Sequence, residues 1–228
     1  MPANSPGREV WWPDAGVVSD MSDLICFSPP PPAFLRHQRK DLVTPMARPC
    51  PPAQNPCGAL APRREADERF MRLALEQARL AAVMGEVPIG AVVVCGGAVV
   101  ARAHNRRETD ADPSAHAEFS AMVAAARELG RWRLTGCTVY VTLEPCLMCA
   151  GLMVNGRVDR CVYGAPDPKG GALGTLYDVS GDPRLNHAFE VTRGVLEREC
   201  AQELRAFFKR RRREAKEARR TQKGCRPQ

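Results

Sequence analysis

The sequence predicts a three-layer α/β/α sandwich built on a five-stranded mixed sheet, and three observations carry that prediction. Segments of helical periodicity alternate with short β-branched runs between residues 64 and 213. Two of those runs are joined by Gly96-Gly97, a dipeptide that supplies the positive φ angles of a two-residue hairpin turn and so demands an antiparallel pair. A helix-forming stretch separates the third run from the fourth, and a crossover of that kind makes its flanking strands parallel.

The elements follow in order. From Arg64 to Met84, the residues Phe70, Leu73, Ala74, Gln77, Leu80 and Ala81 recur at helical spacing, and Gly85 stops the helix. "PIGAVVVCGGAVVARA" supplies the hairpin, and the polar, punctuated "HNRRETDADPS" is a loop. "AHAEFSAMVAAARELG" is alanine-rich with a glycine end, which predicts a helix. "CTVYVTL" reads as a buried strand, Cys146 to about Asn155 as a helix, and "DRCVYGA" as a further strand. A long loop, "PDPKGGALGTLYDVSGDPRLNH", precedes the short strand "AFEVTRG", and a final helix begins near Leu196. Structureless segments of that length in a compact domain tend to be functional.

Composition divides the chain into three parts. Of its 20 prolines, 13 precede Arg63, and residues 1–63 lack sustained apolar periodicity, so they read as a disordered extension. Met46 and Met71 are alternative starts, the second of which would delete much of the first helix. Residues 64–213 suffice to bury a core, and residues 214–228 form a basic tail. The net charge of +7 is concentrated at the C-terminus, where Arg205 to Gln228 holds 11 Lys/Arg against 2 Asp/Glu. Two aromatics beside that cluster, in "FFKRRRREAKEARR", favour a phosphate-binding role over a merely solvated face. No apolar run is long enough to span a bilayer and no secretory signal is evident, so a cytoplasmic protein without a membrane partner is expected. In that compartment the ten cysteines are thiols or metal ligands rather than disulfides.

Two short stretches concentrate the chemistry. His116 and Glu118 open one predicted helix, and Cys146 and Cys149 open the next. A helix N-terminus carries partial positive charge, which favours thiolate, and a spacing of three puts both sulfurs on one face. One imidazole and two thiolates make three protein ligands, the count of a catalytic zinc site that keeps a fourth position for water. Such a site lowers the pKa of its water, and Glu118 is a carboxylate placed to move protons beside it.

"HAE" followed by "PCLMC" resembles the signature of the zinc-dependent deaminases. "EVPIGAVVV", "HNR", "DPSAHAE", "TLEPCLMCAG", "VYGAPDPKGGALG" and "LNH" extend the resemblance, in order, to the bacterial tRNA-specific adenosine deaminases over residues 65–213. The resemblance implies a cytidine deaminase-like fold and a homodimer binding one zinc ion per subunit. It implies hydrolytic conversion of adenosine to inosine at the wobble position of an arginine tRNA with an ACG anticodon. His116, Cys146 and Cys149 would hold the zinc, and Glu118 would shuttle protons to and from the hydroxide that attacks the base. Asn105 would hydrogen-bond the flipped base, and Asp167 would lie beside the ribose of the preceding nucleotide, favouring RNA. Phe207, Phe208 and Arg210 fall where the last helix of the family meets the anticodon stem-loop. Arg107 and Pro168 stand where the family carries other residues.

Alternative readings accompany these. A deaminase of free guanine, cytosine or deoxycytidylate shares the zinc chemistry but needs neither Asn105 nor a basic last helix. An inactive RNA-binding module with a structural zinc has no use for Glu118 beside the metal. Cys137 and Cys161 fall in buried strands and read as core, as do Met148 and Met153 as packing residues. His104 reads as structural, His187 as either a loop fastener or a substrate contact, and Cys50, Cys57 and Cys225 as residues of the tails.

Overall fold

The computed structural model describes residues 60–224; the proline-rich segment before them, with Cys50 and Cys57, and Cys225 after them lie outside the described residues. Five strands form one sheet: β1 (Gly90–Cys95), β2 (Ala98–His104), β3 (Cys137–Leu143), β4 (Arg160–Ala165) and β5 (Glu190–Thr192). Their spatial order is β2-β1-β3-β4-β5. β1 is antiparallel to both β2 and β3, whereas β3, β4 and β5 run parallel. Gly96 and Gly97 take the positive φ angles, 57° and 80°, that the hairpin requires.

Helices α1 (Leu60–Val83), α2 (Arg107–Asp110), α3 (Ala117–Glu128), α4 (Leu147–Asn155) and α5 (Glu197–Gly224) complete the fold. Strand alternation sorts the core into two layers. Ala91, Val93, Val139, Val141, Cys161 and Tyr163 pack with Ala117, Ala121, Met122 and Ala125 of α3 and with Ala150 and Met153 of α4. The intervening Val92, Val94, Tyr140 and Val162 face Phe70, Met71, Ala74 and Leu75 of α1 and Cys200 of α5. The expected sandwich is therefore present, with α3 and α4 on one face and α1 and α5 on the other.

Four details differ from the sequence expectation. The buried stripe of α1 is Phe70, Met71, Ala74, Leu75, Ala78 and Ala81, while Leu80 turns outward. The cause is close approach: a Cβ at Gly90 would collide with the Ala74 carbonyl and the Ala78 amide, so only small side chains fit on the helix line above β1. The segment after β2 is not wholly loop, because α2 interrupts it. Met153 packs in the core, but Met148 is partly exposed at the start of α4. Finally, α1 starts before residue 64 and α5 continues past residue 213 to Gly224, so both helices cross the boundaries that composition suggests. Ion pairs one turn apart, Arg210–Glu214, Arg211–Glu214 and Arg213–Glu217, support that continuation.

A buried ion pair ties the layers together. Arg160 of β4 donates to both oxygens of Asp67 on α1, at 2.8 and 2.6 Å, and the Tyr140 hydroxyl donates to the same carboxylate at 2.9 Å. Removing one partner of so buried a pair costs about 3–5 kcal/mol.

Candidate active site

His116 and Cys146 are the N-cap residues of α3 and α4, in extended backbone conformations with φ/ψ of −74°/150° and −76°/173°. Their carbonyls accept the first helical bonds, from the Ser120 and Ala150 amides, but neither side chain caps its own helix. The imidazole and the thiol are therefore left for other work. Because both helices cover the same sheet face, their starts converge, and His116 Nδ1 lies 3.6 Å from Cys146 Sγ and 3.7 Å from Cys149 Sγ.

Those separations test the metal directly. Tetrahedral zinc with ordinary Zn–N and Zn–S bonds places its nitrogen and sulfur ligands about 3.5 Å apart. The triad thus fits zinc with little adjustment, and among the described residues no fourth side chain joins the cluster. Cys137 and Cys161 sit in the core, as expected, and supply no ligand. Without metal, the Cys149 thiol donates to Cys146 and His116 adds its charge, pulling the Cys146 thiol down to about 3. Cys149, the donor of that pair, is held well above the usual thiol range. His116 is raised by its hydrogen bond with the Cys146 sulfur.

Glu118, in the first turn of α3, is 4% exposed and stands beside Cys149 without entering the triad. Burial pushes its carboxyl up to about 7, partly opposed by its own backbone amide and by His116. A carboxyl in that range can both take up and release a proton near neutral pH.

Two loops reach the triad through the backbone. The Arg106 amide donates to the Ala115 carbonyl at 3.0 Å, which sets Asn105 beside the approach to His116. The Ala172 amide donates to the Pro145 carbonyl at 2.9 Å, and Gly171 bridges to Cys146, which brings Asp167 alongside the second ligand segment. Each loop hangs from one buried glutamate. Glu86 accepts from Asn105 Nδ2 and from the Thr109 amide and hydroxyl. Glu144 accepts from the amides of Asp167, Leu173 and Thr175 and from the Thr175 hydroxyl. Neither carboxylate stands out in the sequence, where the only signal is an isolated acid among apolar and turn-forming residues.

Of the remaining expectations, His187 donates from Nε2 to the Val158 carbonyl at 2.7 Å and is a loop fastener. His104 pairs through Nδ1 with Gln77 Oε1 at 3.1 Å, in keeping with a structural role. Phe207 is corrected: at 5% exposure it packs edge-on to Phe208, beside Ala82 and Val83 at the end of α1, and has no free face for a base. Phe208 is 44% exposed, and Arg210 reaches back to the Ala82 carbonyl at 3.3 Å. Among the described residues no contact links this part of α5 to the triad, which lies across the sheet from it.

A cytidine deaminase-like sandwich with a His-Cys-Cys triad and an unliganded carboxylate at helix starts defines a deaminase. The profile described as MafB19-like deaminase matches residues 65–212. The chain is 52% identical to the tRNA-specific adenosine deaminase of Bacillus subtilis over 153 residues, 67% of this chain and 95% of that protein. It is 45% identical to the tRNA-specific adenosine deaminase of Haemophilus influenzae over 155 residues, 68% of this chain and 90% of that protein. A structure solved in a study of A-to-I editing by tRNA:A34 deaminases superimposes with a TM-score of 0.58 at 46% identity, covering 60% of this chain and 99% of that one. The chain belongs to the MafB19-like deaminase family and, within it, to the tRNA-specific adenosine deaminases.

Proposed function

We propose that the protein converts adenosine to inosine in tRNA by hydrolysis, at the wobble position of an ACG anticodon carried by an arginine tRNA. The observation that carries this reading is 52% identity across 95% of a tRNA-specific adenosine deaminase, with His116, Cys146, Cys149 and Glu118 standing together. Water supplies the incoming oxygen, and ammonia leaves with the 6-amino nitrogen. Zinc held by His116, Cys146 and Cys149 supplies the polarising charge that makes water reactive near neutral pH. Glu118 takes a proton from the attacking water, delivers it to the ring nitrogen, and then serves the departing amine. Asn105 holds the flipped base and Asp167 lies beside the preceding ribose.

The anticodon stem-loop is the recognised element, and Phe208, Arg210 and the arginines that follow offer it stacking and charge. The working unit is a homodimer. Trp132, Leu147 and Met148, all exposed on the α3–α4 side, are the apolar side chains available for a second copy.

The experiment is inosine formation by the purified zinc protein on an ACG-anticodon stem-loop, run beside free adenosine, cytidine and guanine. Conversion confined to the wobble adenosine is expected. Turnover of a free base alone would keep the site chemistry and overturn the substrate.

A further inference from the structure

We infer that Glu86 is a positioning residue that locks the side-chain amide of Asn105 with its nitrogen inward and its oxygen toward the cleft, so that Asn105 presents an acceptor to the substrate. This rests on the reading of Asn105 as a substrate contact.

Glu86 is 1% exposed, and both of its oxygens are used. Oε1 accepts the Thr109 amide at 2.6 Å and the Thr109 hydroxyl at 2.7 Å, while Oε2 accepts Asn105 Nδ2 at 3.0 Å. Its own amide donates to the Ala81 carbonyl at 3.0 Å, which roots the residue at the end of α1. Burial alone would raise its pKa, but the donors from Thr109 and the Glu108 amide outweigh it and hold the carboxyl below its ordinary value.

An ionised carboxylate accepts and never donates. Facing it, the Asn105 amide must offer its nitrogen, because the flipped form would set two acceptors against each other at hydrogen-bond distance. The amide polarity at this position is therefore dictated by chemistry. The backbone adds its own constraint, since the Asn105 amide donates to the Ile89 carbonyl at 3.0 Å.

The other end of the amide is what the substrate meets. Asn105 Oδ1 accepts no bond within the described residues, whose one sealed and unpartnered side-chain polar atom is His104 Nε2. Oδ1 consequently opens to solvent at the rim of the site. An acceptor there selects a hydroxyl or amine hydrogen on the bound nucleotide and rejects a lone pair.

A donor–acceptor swap tests this. In Glu86→Gln the neutral side chain can turn its own amide toward Asn105 and release the lock. In Asn105→Asp an acceptor still faces the substrate, but it opposes Glu86. When the two substitutions are combined, the introduced glutamine amide donates to the introduced carboxylate and the original polarity returns. We would measure kcat/KM for inosine formation on the stem-loop with zinc-loaded proteins, with zinc content and melting temperature as controls.

Each single variant is expected to lose about tenfold or more, the range of one misplaced buried hydrogen bond. The double variant should recover at least several-fold over either single, with the loss concentrated in kcat/KM at unchanged zinc content. A double variant whose loss equals the product of the single losses overturns the inference, as does Asn105→Asp at wild-type activity. If Glu86→Gln does not fold, the comparison of Asn105→Asp with the double variant still decides the question. Full activity in Asn105→Ala would instead remove the substrate-contact reading of Asn105, and the inference with it.

Discussion

The catalytic centre and its rim are built by different means. His116, Cys146, Cys149 and Glu118 all sit at the N-cap or in the first turn of α3 or α4, where helix geometry sets their spacing and the sheet sets the distance between helices. Asn105 and Asp167 sit on loops, and each loop is hung from a single buried carboxylate, Glu86 or Glu144. A helix start holds a ligand rigidly because several backbone bonds share the constraint. A loop held by one carboxylate concentrates it, so one substitution releases the whole segment. Substitutions in the centre should therefore remove chemistry while sparing the fold, and those in the rim should erode recognition.

The sharpest separation comes at the ligands. Cys149→Ser is expected to abolish turnover and strip zinc together, whereas Glu118→Ala should abolish turnover alone. Proton transfer by a positioned group contributes about 10²- to 10⁴-fold, so the Glu118 variant should fall by that factor in single-turnover rate. Metal analysis and inosine assays on the same preparations distinguish the two. If Glu118→Ala lost its zinc, the carboxylate would belong among the ligands and the distinction between holding metal and moving protons would collapse.

The same division explains what is legible in the sequence. Periodicity, the Gly96-Gly97 turn and the two helix starts are local signals, and they suffice for the order of the elements and for the triad. The stripe on α1 departs from its expected line because its position depends on Gly90, a contact between separate elements. Phe207 reads as a substrate contact beside Phe208 and the arginines, yet its burial depends on the end of α1, which no local pattern near residue 207 encodes. Glu86 and Glu144 are invisible for the same reason: their partners lie 19 to 31 residues away. Residues whose role is to receive hydrogen bonds from a distant loop leave no spacing signature.

Glu144→Gln probes the rim on its other side. The carboxylate accepts three backbone amides and a hydroxyl, and a Cβ at Gly171 would collide with it, so the loop is folded tightly around this one group. A glutamine must turn a donor toward one of those donors, leaving a buried amide unsatisfied at about 1–3 kcal/mol. The expected result is faster proteolysis within residues 166–189 and kcat/KM lowered by about tenfold, with zinc retained. Loss of zinc would mean that the Glu144 loop also holds Cys146 in place, through the Pro145–Ala172 bond.

The smallest effect is expected farthest from the triad. Arg210 is partly exposed, pairs loosely with Glu214 at 3.9 Å and touches the Ala82 carbonyl, so its removal should leave the melting temperature nearly unchanged. Its contribution to binding is different in kind: a phosphate contact acts through counterion release, and losing one reduces the slope of log affinity against log salt by about one. Arg210→Ala should therefore raise KM for the stem-loop a few-fold at low salt, leave kcat unchanged, and lose that difference as salt is raised. Phe208→Ala should weaken binding without changing the salt slope, because stacking on a base releases no ions. A variant pair with identical salt slopes would place the basic helix outside the RNA interface and confine recognition to the loops around the centre.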